Sequence, residues 1–257
     1  MKKIKTNKKF LFVFSREKAK KEFTYISLIV FYLLYRWVFT IANKTQVKGK
    51  EYLPTRQEEI LFAEDHQSFI DSVPYRANIV SNVPYGILHQ QYLMPFDLPD
   101  YNNFYSSKWG ARLMNLWKNI PVYRNTSDRA VENELVENIC NILKTDRVSI
   151  FVGGGRDLPG KGVRPCIGSV GRIILKKLRE NSDLIVIPAR IFGMHELYPR
   201  KFGQKYWKIF FQFGYKINIV FGKPIDFSDI IQSDDNEEKV LWSIRRRVTA
   251  SIVALKP

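Results

Sequence analysis

Short apolar runs of strand length alternate with longer amphipathic segments along most of this chain, and that alternation restricts its fold more than anything else in the sequence. Strand-like runs fall at residues 45–49, 59–63, 85–90, 148–152, 184–189 and 216–221. Between and after them, residues 71–80, 109–116, 129–143, 170–178 and 240–255 carry helical spacing, with Val131, Leu135, Ile139 and Ile142 marking one face of the third. A strand that hands over repeatedly to a helix has to lie parallel to the strand that follows. The pattern therefore predicts an α/β fold, a mostly parallel mixed sheet flanked by helices. At 257 residues the chain suits one large domain or a domain with an appendage.

The appendage is N-terminal. Residues 1–50 hold thirteen Lys and Arg against Glu17 and Glu22, a local +11, whereas the remaining 28 basic and 23 acidic residues leave +5. A basic arm of this kind suits nucleic acid or an anionic membrane. The apolar stretch beside it, residues 23–42, decides for membrane. It is interrupted by Arg36, and the part before that residue is short for a span, so a helix lying in one leaflet is expected, with a single N-terminal anchor as the alternative. Either form places the protein at the membrane with the basic arm on the cytoplasmic face. The expected organisation is a membrane-anchoring helical segment over 1–44 and an α/β domain over 45–257, with no nucleic-acid partner.

Cys140 and Cys166 form no framework of bridges, and His66, His89 and His195 are scattered, so no metal site is expected and the compartment reads as reducing. His66 stands apart from the other two. It follows the run at 59–63 within EDHQSFIDSVPY, five residues before Asp71. A neutral imidazole can take a proton from a hydroxyl near neutral pH when a carboxylate holds its other ring nitrogen. Five residues do not share a helical face, so a turn through Gln67 and Ser68 has to fold Asp71 back. His89 and His195 read as structural or exposed, His195 in a loop.

Two further segments can carry chemistry. FVGGGRDLPGKG, residues 151–162, runs from a strand into glycines and Arg156. Its backbone amides could approach a phosphate and Arg156 could pair with it, or the glycines could serve only a flexible loop. A nucleotide P-loop is excluded, because Lys161 is not followed by Ser or Thr. In IPVYRN, Arg124 is either a phosphate-binding cation or a solvated surface charge.

Taken in order, these segments resemble the glycerolipid acyltransferases, the family that makes phosphatidic acid from lysophosphatidic acid. DHQSFID resembles the family's N-H-x-S-x-x-D block, IPVYRN its I-P-V-x-R, FVGGGR its F-P-E-G-T-R and LIVIPARIFG its V-I-P strand. VKGKEYLP and IVFGKPIDFS resemble the flanks, so the likeness runs from Val47 to Ser228. It implies an O-acyltransferase with His66 as general base, Asp71 as its orienting acid, and Arg124, Gly154 and Arg156 binding the acceptor. The implied donor is acyl-CoA or acyl carrier protein, the acceptor a lysophospholipid hydroxyl, with no bound cofactor or metal. The chain departs from the family at Gly153 and Gly155, where the family has Glu and Thr, and at Pro165, Cys166 and Ile167, where it has a basic residue. The acceptor could therefore be a different lipid or glycolipid, and a lipid-binding member without turnover is a further alternative.

Overall fold

The computed structural model describes residues 33, 36–54, 59–79, 94–123, 128–180, 182–197, 213–233 and 235–257. The basic arm, most of the apolar stretch, the strand expected at 85–90 with His89, and Arg124 lie outside these residues.

Five strands form one sheet: β1 (Lys44–Lys48), β2 (Ile60–Glu64), β3 (Val148–Phe151), β4 (Ile185–Phe192) and β5 (Lys216–Phe221), in the order β1-β5-β4-β2-β3. All neighbours are parallel except β4 and β5, which pair antiparallel with Ala189 opposite Phe221. The mostly parallel mixed sheet expected from the alternation is the one found. The main helices are α1 (Ser72–Ile79), α2 (Lys108–Leu116), α3 (Arg129–Leu143), α4 (Gly168–Arg179) and α5 (Glu237–Ala254). One-turn helices at Tyr101–Phe104, Met194–Leu197 and Ser228–Ile231 have no period long enough to be read from sequence.

Side chains alternate across a strand, and both faces of this sheet are covered, so β2 reads as an unbroken apolar run ending in Glu64. Leu61 and Ala63 face a core with Val148, Ile150 and Val186, roofed by α3, α4 and α5. Ile60 and Phe62 face a second core containing Tyr75, Ile79, Ile187, Ile217 and Phe221. In α5 the buried positions Val240, Ile244, Val248 and Ile252 recur every fourth residue, and Asn236 caps the helix by accepting from Lys239 N at 3.0 Å. The buried stripe of α3 is Val136, Ile139, Cys140 and Leu143, rotated from the face marked in the sequence; Leu135 and Ile142 sit at its margin. The rotation arises because α3 packs against α4 as well as the sheet.

Of the apolar stretch at 23–42, the described part includes a π-helical turn, Arg36–Ile41, that is docked on the domain. Phe39 is buried in the second core, and Thr45 Oγ1 and Asn43 Nδ2 donate to the carbonyls of Phe39 and Val38 at 2.7 and 2.8 Å. No helix among the described residues is long and apolar enough to cross a membrane.

The carboxyl ends of β2, β3 and β4 lie side by side because these strands are parallel neighbours. The connections leaving them diverge, since β3 lies on one side of β2 and β4 on the other. In open α/β sheets that is where ligands bind.

Candidate active site

Each of the three strand ends delivers one part of the site. β2 runs into Asp65 and His66, β3 into Val152 and the three glycines, and β4 into Gly193 and the one-turn helix carrying His195.

The turn after β2 closes as its residues predict. His66 Nδ1 donates to Asp71 Oδ2 at 3.1 Å, and the same oxygen accepts from Gln67 N at 2.5 Å and Ser68 N at 2.6 Å. The Ser68 hydroxyl donates to Asp71 Oδ1. Asp71 is fully buried at the entrance to α1, and its side chain folds backward over the turn rather than forward over the helix amides. Four donors on one carboxylate fix its orientation toward the imidazole. The His66 ring stacks on Phe151 at the end of β3, with ring centroids 3.9 Å apart and planes 8° apart. The residue is 8% exposed, yet Nε2 is neither sealed from solvent nor bonded among the described residues. Donation from Nδ1 leaves the lone pair on Nε2, so the ring presents a base to the outside.

A second connection holds this turn to the glycine loop. His66 N donates to Asp157 Oδ2 at 3.3 Å, Asp157 N donates to His66 O at 2.5 Å, and Arg164 N donates to Asp157 Oδ1 at 2.8 Å. Asp157 is buried, and burial raises its pKa. Nothing in the sequence pairs it with His66; its one signal is an acid directly after the GGGR run. Within the loop Gly154 has φ of 62°, the left-handed conformation glycine tolerates, and its N–H closes a turn onto Phe151 O at 3.0 Å. The N–H groups of Gly155 and Arg156 have no bond among the described residues. Arg156 is half-buried, adjoins Asp157, and its guanidinium has no ion pair there either. The structure thus brings His66, Asp71, Gly154 and Arg156 into one neighbourhood, whereas Arg124 lies outside the described residues.

Behind His66 are acids that sequence reading passed over. Asp65 Oδ1 accepts from Ile191 N at 2.8 Å and from the Tyr75 hydroxyl, and burial pushes its pKa up to about 8. Glu64 is fully buried, and its carboxyl is held well above the usual range by loss of solvent. Ser149 draws that value down but completes no well-formed hydrogen bond with either oxygen. Arg76, also buried, donates to Asn119 Oδ1 at 3.0 Å and ties α1 to the segment after α2. An acidic doublet ending an apolar strand was the available signal for Glu64 and Asp65.

His195 corrects the loop expected around it. It is half-buried in the one-turn helix Met194–Leu197, and its Nδ1 is buried without a partner among the described residues. Burial lowers its pKa, while Asp71 and Asp157 are near enough to pull it back up. No cluster of potential metal ligands occurs among the described residues.

No protein-family model matches the sequence, and no curated protein matches it either. Among solved structures, the fold is similar to the crystal structure of the 1-acyl-sn-glycerophosphate (LPA) acyltransferase from Thermotoga maritima. The TM-score is 0.51 at 17% identity, over 95% of this chain and 88% of that one. The fold implied by the resemblance is therefore the fold the chain has.

Proposed function

We propose that this protein is a membrane-associated O-acyltransferase that moves a fatty acyl group from a thioester, on coenzyme A or acyl carrier protein, to the hydroxyl of a lysophospholipid. The observation that carries the reading is the His66–Asp71 pair, whose free nitrogen opens at the carboxyl ends of the parallel strands. The likeness of the fold to a lysophosphatidic acid acyltransferase supports it.

In this mechanism His66 Nε2 takes the acceptor's hydroxyl proton as the oxygen attacks the thioester carbonyl. Asp71, bonded to Nδ1, stabilises the imidazolium that results. The tetrahedral oxyanion collapses and expels the thiolate, which takes the proton from the imidazolium, so no acyl-enzyme forms. Unoccupied backbone N–H groups, such as those of Gly155 and Arg156, are the kind of donor that stabilises an oxyanion or a phosphate. Arg156 binds the acceptor's phosphate, with Arg124 as a second candidate. The basic, apolar segment over 1–44 holds the site against the cytoplasmic membrane surface, where acceptors reside, and neither metal nor bound cofactor takes part.

Membranes or detergent extracts containing the protein, given labelled acyl-CoA or acyl carrier protein thioester and a panel of lysolipids, should yield a diacyl product. His66→Ala should lower that rate about a hundredfold or more. A His66→Ala protein as active as wild type removes the base assignment. Unchanged lipid association with no turnover in either protein instead favours a lipid-binding role.

A further inference from the structure

We infer that Arg164 is a second cation of the acceptor site, seated over Gly153 and Gly155, and that it determines which head groups the site accepts. The inference rests on the acyltransferase reading above.

The first observation concerns why residues 153 and 155 are glycines. Neither has φ in the left-handed range, unlike Gly154 between them, so their backbone does not demand glycine. At Gly153 what excludes a side chain is the base of Arg164; at Gly155 the space is taken by its tip, which could swing aside. A Cβ on Gly153 would stand 2.6 Å from Arg164 Cβ, and one on Gly155 would stand 2.6 Å from Arg164 Nη1. The arginine stem thus crosses the loop at Gly153, and its guanidinium lies over Gly155, the residue before Arg156. At both positions where the resembled motif carries Glu and Thr, this chain has given the space to one arginine.

The second observation is that Arg164 is anchored at its base and free at its tip. Its N–H donates to Asp157 Oδ1 at 2.8 Å, and the other oxygen of that carboxylate accepts from His66 N at 3.3 Å. Asp157 therefore holds the main chain of Arg164 to the His66 turn. Among the described residues neither the Arg164 nor the Arg156 guanidinium has a hydrogen bond or ion pair. Laying a long arginine across a loop costs side-chain entropy, and the exposed guanidinium gains no hydrogen bond or ion pair among the described residues in return.

Together these features describe an anion site of donors alone. Two guanidiniums and the N–H groups of Gly155 and Arg156 are available, and the carboxylate that the resemblance leads one to expect at position 153 is missing. The loop lacks the negative charge expected at 153, and Arg164 supplies a guanidinium beside Pro165, Cys166 and Ile167, where the family's basic residue is absent. Such a site discriminates by head-group charge. It favours a phosphomonoester, which carries close to two negative charges and three terminal oxygens, over a phosphodiester-linked zwitterion or an uncharged glyceride.

The test compares one lysophosphatidic acid with the monoacylglycerol of the same chain as acceptors for the full-length protein, in wild type, Arg164→Ala, Arg164→Gln and Arg164→Lys. Removing the charge should raise KM for the phosphorylated acceptor roughly tenfold to a hundredfold. The ratio of kcat/KM for the phosphorylated over the neutral acceptor should fall by a similar factor. Lysine, a point charge without the fork, should restore part of it. Arg164→Gln keeps much of the stem, so agreement between it and Arg164→Ala excludes a packing effect. A preference for lysophosphatidic acid that is the same in wild type, Arg164→Ala and Arg164→Gln overturns the inference and leaves the acyltransferase reading standing. A wild type that acylates no lysolipid overturns both.

Discussion

Asp157 and His66 are bonded in both directions: the backbone N–H of each donates to an oxygen of the other, at 2.5 Å into the His66 carbonyl and 3.3 Å into the Asp157 carboxylate. This links the ends of β2 and β3 at the point where, in the proposed mechanism, a base from one strand and a cationic loop from the other face the same substrate. The stacking of His66 on Phe151 is a second link between the same two ends.

Asp157→Ala should therefore damage both stability and turnover. It strips the side-chain acceptor from the N–H of His66 and from that of Arg164, each loss costing about 1–3 kcal/mol when the donor is left without water. Asp157→Asn keeps one acceptor oxygen and should recover part of the melting temperature and of kcat. Because Asp157 positions the base and does not carry the proton, the pH at which kcat titrates should stay where it is in the Asn variant. A displaced pH profile would show that Asp157 acts on the proton itself.

Asp71→Asn separates charge from geometry at the pair. An amide oxygen in the place of Oδ2 can still accept from His66 Nδ1, Gln67 N and Ser68 N, and the NH2 group can donate to a reoriented Ser68 hydroxyl. The turn should survive, with a melting temperature within a few degrees of wild type. The negative charge that stabilises an imidazolium is gone, so acyl transfer should fall about 10²- to 10⁴-fold. Retention of more than a tenth of the wild-type rate means that the carboxylate serves the fold alone.

The parts of this arrangement that could be read from sequence are those made by neighbours in the chain. His66 and Asp71 meet through a five-residue turn of Gln, Ser and Asp, and β2 shows itself as ILFA because both its faces are covered. Asp157 and Arg164 could not be found that way. Asp157 meets His66 across 91 positions of sequence, and the contact exists only because β2 and β3 are parallel neighbours. The glycines at 153 and 155 read as loop residues; the Arg164 side chain, nine to eleven residues further on, lies over both. The acids Glu64 and Asp65 follow directly on an apolar run, and that placement alone does not show that they are fully enclosed.

That enclosure predicts an unusual dependence of stability on pH. The Asp65 carboxyl, with an ordinary value of 3.8, is pushed up to about 8 by burial. The folded state then binds this proton more tightly than the unfolded state. The contribution is fully present below about pH 4 and is lost as pH rises through about 8, with a slope of up to about 1.4 kcal/mol per pH unit. Asp65→Asn, whose amide oxygen can accept from Ile191 N and the Tyr75 hydroxyl, should flatten that decline. Urea midpoints between pH 5 and 8 should diverge between the two proteins as pH rises, and parallel curves would mean that Asp65 does not hold its proton.

Gly49 tests the edge of the sheet that lies far from the chemistry. It follows β1 with φ of 77°, and a Cβ there would stand 1.9 Å from the carbonyl oxygen of Phe221 at the end of β5. Gly160 has nearly the same φ, 75°, with nothing within 4 Å of the corresponding position. Alanine in a left-handed conformation costs about 1–2 kcal/mol wherever it occurs. Gly160→Ala should lose that much and no more. Gly49→Ala has to push β1 away from β5 or distort the turn as well, so its urea midpoint should fall further, by an amount equivalent to about 3 kcal/mol or more in total. The pair isolates contact from backbone strain: equal losses in the two variants would show that the Phe221 carbonyl yields freely, and that the close approach of β1 to β5 does not require glycine at position 49.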